Sequence, residues 1–182
     1  PGEIRDEETA AAAMRAASSG KYILSTFHTR DVASVVTALS DVGVDAHSLA
    51  GNLRSIISQR LVRRLCRFCR GRRELTGDER ELFTAQQIEP PKEVAMPTGC
   101  PRCRKTGYFG RIGIFEVLEN EPRIEEAISE KIPEHQLREL LRECNVDSLA
   151  HDALMKVAAG TTSLEEARDA AWVRYQPEAG DG

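Results

Sequence analysis

The sequence predicts an α/β protein with a metal-held module in its middle and a small helical unit towards its end. Three observations predict this. Strand-like and helix-like segments alternate over roughly the first 65 residues, which points to a parallel sheet covered by helices. Two matched pairs, Cys66-Arg-Phe-Cys69 and Cys100-Pro-Arg-Cys103, then occupy a turn-rich stretch. From about residue 121 to 174 apolar residues recur at helical spacing.

The elements follow in order. Asp6 to Ser18 is rich in alanine and favours helix, with Gly20 placed to end it. Tyr22-Ile-Leu-Ser-Thr-Phe27 is β-prone and reads as a short buried strand. Asp31 can cap a helix through about Ser40 that Gly43 closes, and Asp45 can cap another. Leu49, Leu53, Ile56, Ile57, Leu61 and Leu65 fall on one face at helical spacing, so that next helix is expected to run on to about residue 65. Between 66 and 118, Pro90-Pro91, Pro97, Gly99 and Pro101 interrupt regular structure, and Arg111–Leu118 reads as a strand after a turn at Gly107 and Gly110. Pro133 suits the first turn of a helix whose apolar face is Leu137, Leu140, Leu141 and Cys144. Leu149, Ala153 and Val157 continue in a second helix ending at Gly160, and Ser163-Leu-Glu-Glu166 is a capping box for a last one. The expected divisions are 1–65, 66–118, 119–175 and a disordered tail at 176–182.

Composition narrows the class. Of 182 residues, 41% are hydrophobic and 30% charged, as in globular proteins, while aromatics at 5% leave the core to aliphatic side chains. No apolar run reaches the length of a membrane span, and the charged start Gly2-Glu-Ile-Arg-Asp6 does not read as a signal peptide. The net charge of −4 is uneven: residues 54–111 carry a local +8 and the remainder −12. A basic middle of this kind suits either an acidic partner or the chain's own acidic helices.

Four cysteines in two pairs can close a tetrahedral site around one zinc ion, with no coordination position left for catalysis. The alternatives are two structural disulfides or a redox dithiol, and one shared metal explains both pairs more simply. The thirty residues between Cys69 and Cys100 are expected to form a projecting lobe pinned at its base. Cys144 reads as a small core residue. Glu3 and His28 form a second constellation. His28 lies just past one predicted strand, and Glu3 would lie just past another if a strand preceded residue 1, which puts a carboxylate and an imidazole at one sheet edge. Ser18-Ser-Gly-Lys21 does not make a phosphate loop, because Arg15 and Tyr22 stand where glycine and Ser/Thr are required.

At these residues the chain resembles a known family. Gly2-Glu-Ile-Arg-Asp-Glu-Glu-Thr-Ala10 is similar to the Walker B end of the type II secretion and type IV pilus assembly ATPases. Lys21-Tyr-Ile-Leu-Ser-Thr-Phe-His-Thr-Arg-Asp31 resembles their histidine box, and the four cysteines resemble their zinc module. Gly107–Leu118 and Gly160–Glu166 match further segments in order. The resemblance implies part of a RecA-like P-loop NTPase core, the second half of its parallel sheet, followed by a tetracysteine zinc lobe and the helical unit. It implies a cytoplasmic ATP hydrolase at the face of the inner membrane, a homohexamer that acts on a membrane platform protein and binds no specific nucleic acid. Glu3 then matches the residue that holds or activates the attacking water, and His28 one that senses the γ-phosphate. Arg5 and Asp6 match the nucleotide-proximal positions that follow Glu3. Structural zinc is expected in the segment itself, and ATP and Mg²⁺ only in the full-length protein. The family's phosphate loop, aspartate box and arginine fingers are expected upstream of Pro1, so the segment alone is expected to be inactive. The rival reading is a stand-alone zinc-ribbon module that binds nucleic acid or protein through Arg60–Arg70.

Overall fold

The structure is a computed structural model and describes residues 2–171. In chain order the elements are α1 (Glu7–Ser18), α2 (Val32–Asp41), α3 (Ala46–Asn52), β1 (Ser55–Leu65), β2 (Gly71–Glu74), α4 (Gly77–Thr84), β3 (Glu93–Met96), β4 (Tyr108–Glu119), α5 (Pro122–Ser129), α6 (Glu134–Glu143), α7 (Leu149–Ala158) and α8 (Leu164–Ala171). The α/β expectation holds. The tail expected at 176–182 lies outside the described residues.

Two compact units form. The first takes residues up to Ser58 together with Glu116–Val146, and the second takes Gln59–Phe115 together with residues from Asp147 on. The helices after residue 119 therefore divide: α5 and α6 enter the first core, α7 and α8 the second. β1 pairs with β4, and both strands contribute residues to both units. The bonds Asn120 N–H to Arg54 O and Cys66 N–H to Gly107 O run this pair antiparallel.

In the first unit, Asp6 and Asp31 cap α1 and α2 by accepting the N–H groups of Thr9 and Ser34, as their positions suggested. Val32, Ala33 and Leu39 of α2 pack with Leu137 and Leu141 of α6 and Ile124 of α5. In the second unit, Val62 of β1 and Ile114 of β4 meet Phe83 of α4, Leu154 and Val157 of α7 and Ala167 of α8.

Four sequence expectations are corrected. The long helix after Asp45 stops at Asn52, where Leu53 turns extended at ψ 134°, and residues 55–65 are β1. Burial there mostly alternates, with Ile56, Ser58 and Val62 inward and Ile57 and Leu61 outward. A helical count fitted the leucines only because four-residue steps satisfy both periods, and pairing with β4 decides the matter.

The parallel sheet expected in the first segment is reduced to one parallel bridge, Glu3 to Thr26. Among the described residues nothing pairs with Tyr22–Ser25, and Tyr22 and Leu24 stand 93% and 89% exposed.

The spacer between the cysteine pairs does not project as a loop. It forms β2, α4 and β3, and Leu82, Phe83 and Val94 bury it in the second core. β2 and β3 pair antiparallel from Gly71–Met96 to Glu74–Glu93.

The capping box at the start of α8 is half made. Ser163 Oγ accepts the Glu166 N–H at 3.3 Å, while the Glu166 carboxylate turns instead to Arg63.

Candidate metal centre and the Glu3–His28 edge

Cys66 follows directly on β1, and its N–H bonds to Gly107 O at 2.8 Å. A tight turn returns the Cys69 N–H to Cys66 O. Pro101 opens a single 3₁₀ turn that carries Cys100 to Cys103. The two turns are held against each other at close quarters. A Cβ on Gly107 (φ +79°) would lie 2.4 Å from Pro97 Cβ, and one on Gly99 (φ +96°) would lie 2.6 Å from the Lys105 carbonyl oxygen. Only glycine serves at these two positions.

All four sulfurs lie within 4.8 Å of one another. Cys66 and Cys100 are 4.0 Å apart, Cys69 and Cys103 3.7 Å, and Cys100 and Cys103 3.8 Å. Tetrahedral zinc with Zn–S near 2.3 Å requires S···S edges of about 3.8 Å. The thiolates fit that ion, and these separations are too long for disulfides, near 2.05 Å. The cysteines are free. Burial opposes a thiolate at Cys103, but N–H groups of Cys100 and Gly107 point at its sulfur at 3.1 and 3.3 Å and lower it to about 6. Burial pushes the neighbouring Cys69 thiol the other way, up to about 11, so a metal would itself have to hold that sulfur as a thiolate.

At the Glu3–Thr26 bridge, Gly2 O accepts both the N–H and the hydroxyl of Thr26. This sets Glu3 beside the segment that ends in His28. Glu3 Oε1 lies 3.4 Å from His28 Nε2, and Glu3 Oε2 accepts from Arg5 Nη2 at 2.5 Å. The Arg5 hydrogen bond, with help from His28, holds the Glu3 carboxyl below its ordinary range. His28 is exposed and Glu3 half-buried. Three of the four predicted residues thus meet. Asp6 does not join them, since its carboxylate caps α1. Among the described residues this edge offers magnesium no set of oxygen ligands: Glu3 holds Arg5 and His28, and Asp6 holds Thr9 N–H.

Sequence reasoning missed the group that anchors the end of this segment. Arg138 of α6 donates to Asp31 Oδ2 through Nη2 at 3.0 Å and Nε at 3.2 Å, to Ser34 Oγ at 3.2 Å, and to Glu134. It thereby ties the start of α2, three residues after His28, to α6. Glu116 of β4 lies buried near this cluster. Burial, helped by the Asp31 carboxylate, outweighs the Val32 N–H and Arg138 and pushes its carboxyl up to about 7. The Glu134–Arg138 spacing was a visible signal, but the partner at Asp31 lies 107 residues away.

The family described as "Type II/IV secretion system protein" matches residues 1–169. The chain belongs to this family. Among relatives of the secretion family, the chain is 39% identical over 165 residues to the type II secretion system protein E of Aeromonas hydrophila, covering 91% of this chain and 32% of that protein. It is 40% identical over 167 residues to the type IV pilus assembly ATPase PilB of Pseudomonas aeruginosa, covering 91% and 29%. The chain therefore spans about a third of the length of these relatives. The fold is shared with the pilus retraction motor PilT solved with bound ADP, at TM-score 0.62 and 20% identity over 97% of this chain and 39% of that one. It is shared also with the Yersinia pseudotuberculosis ATPase DotB, at TM-score 0.61 and 16% identity over 95% and 36%. The expected fold class, a portion of this family's ATPase fold with a tetracysteine cluster, is thus found. No helix among the described residues is long and apolar enough to cross a membrane.

Proposed function

We propose that the chain forms the Glu3- and His28-bearing portion of an ATP-hydrolysing motor for type II secretion or type IV pilus assembly. The observation that carries the reading is the Glu3–His28 pair, held 3.4 Å apart beside a parallel bridge. In the full-length motor Glu3 orients the attacking water, and Arg5 keeps it ionised for that task. His28 faces the γ-phosphate of the substrate ATP, and the Arg138–Asp31 link holds the chain that presents it. The motor works as a homohexamer on the cytoplasmic side of the inner membrane and acts on a platform protein.

The tetracysteine cluster binds one structural zinc ion, supplied by Cys66, Cys69, Cys100 and Cys103, which contributes folding free energy to the second unit. No G-x-x-x-x-G-K-[ST] sequence occurs among the 182 residues, so this segment alone does not turn over ATP.

Elemental analysis and an ATPase assay on the purified chain test both statements. One zinc per chain without turnover is expected. Steady turnover that Glu3→Gln abolishes would overturn the inactivity, and a metal-free chain would overturn the zinc assignment.

A further inference from the structure

The two cysteine turns bring their other residues to one tip. Phe68, between Cys66 and Cys69, is 54% exposed. The guanidinium carbon of Arg102, between Cys100 and Cys103, lies 4.1 Å from the Phe68 ring centroid, and that of Arg67 lies 4.7 Å from it. The stack joins both turns and exists because the cysteines hold them together. Arg104 and Lys105 follow with φ +52° and +63°, both exposed. Non-glycine residues in that region cost on the order of 1 kcal/mol each.

Several cations elsewhere in the unit are held by a partner. Arg63 holds Glu166, Arg73 holds Glu79, Arg72 lies 3.7 Å from Glu93, and Arg70 holds Gly160 O. Among the described residues, Arg67, Arg102, Arg104 and Lys105 meet no carboxylate. No Asp or Glu occurs in 60–73 or 94–115.

We propose that this tip docks an acidic segment of a partner protein, with carboxylates gripped by the guanidinium edges of Arg67 and Arg102. The proposal rests on the metal reading above, because the metal keeps the two turns together. A guanidinium held over a ring loses less freedom than a free one when its N–H groups take a carboxylate, and its fork matches that group. The same stacking disfavours nucleic acid: arginines already lie over the ring where a base would have to stack.

The test is fluorescence anisotropy of the zinc-loaded chain with a short fluorescein-labelled Glu-rich peptide at physiological salt. Oligothymidylate and phosphatidylglycerol vesicles serve as competitors. Saturable binding is expected, and Arg67→Glu with Arg102→Glu should weaken it about tenfold or more. Lys92→Glu with Arg111→Glu carries the same charge change away from the cysteine turns and should alter it by about twofold or less. Phe68→Ala keeps every charge and should still weaken binding about threefold, by releasing the guanidiniums. Equal losses in the two double variants, or stronger binding of oligothymidylate or vesicles through the same arginines, would overturn the proposal. Zinc content is measured on every variant. Zinc present with no peptide bound sinks only this proposal, whereas a metal-free chain sinks the metal reading on which it rests.

Discussion

Arg63 and Glu166 are joined three times. The Glu166 carboxylate accepts the Arg63 backbone N–H at 2.7 Å, Nε at 2.8 Å and Nη2 at 2.6 Å. The outer edge of β1 is thereby closed by the first turn of α8, with Thr162 Oγ1 donating to Arg63 O alongside. Burial disfavours the Glu166 carboxylate, but Arg63 outweighs it and holds the carboxyl below its ordinary range. Glu166→Ala should therefore cost about 2 kcal/mol, most of it from the backbone N–H left without its charged acceptor. Thermal melts at neutral pH check this. Because the folded carboxyl is lowered, its contribution is present above the unfolded value and is lost as pH falls through the folded one, so wild type and variant should converge in acid.

Glu116 works in the opposite sense. Its carboxyl, raised to about 7, keeps its proton in the folded chain while the unfolded chain gives it up near 4.3. Stability of the first unit should fall as pH rises between those values and level off above about 7. Glu116→Gln keeps an acceptor for the Val32 N–H and removes the charge. The variant should be more stable than wild type above pH 7 by about 2 kcal/mol and lose the slope. Melting temperature against pH for both proteins decides it, and parallel curves would refute the assignment.

Gly107 has no tolerance for a side chain. Gly107→Ala places a methyl against Pro97 in a left-handed backbone conformation, and the residue also supplies the N–H that points at Cys103 Sγ and the carbonyl that takes Cys66 N–H. Zinc occupancy should fall well below one per chain. Gly110→Ala, also at positive φ but in open space, should retain the metal.

Metal removal should act unevenly. Chelation should collapse hydrogen-exchange protection at 66–70 and 97–107, where bonds converge on the cysteine turns. Residues 32–41, packed in the core that Leu137 and Ile124 build, should keep theirs. Uniform loss across both regions would contradict this division.

What the sequence revealed was local. Asp6 and Asp31 announced their helices because a capping carboxylate acts three residues away. The cysteine pairs announced themselves by their C-x-x-C spacing, and their four sulfurs do gather within 4.8 Å of one another. The β1 strand was misread because its partner β4 begins more than forty residues later, and leucine spacing alone does not separate the two periods. The Arg138–Asp31 link was hidden for the same reason. Glu3 and His28, expected at one edge from strand ends, lie 3.4 Å apart, while Arg5, placed there only by the resemblance, bonds Glu3, and Asp6 keeps to capping its helix.

The cysteine cluster also acts as a gauge of strand phase. β2 begins two residues after Cys69 and β3 ends four residues before Cys100, with Gly71 set opposite Met96. A slip of one residue along that ladder would turn Val94 out of its core and bring a charged neighbour in. A four-residue pairing is too short to forbid such a slip by itself. One cysteine turn leads into β2 and the other follows β3 at the Gly71–Met96 end, so gathering their sulfurs within 4.8 Å of one another sets the zero from which these strands are counted.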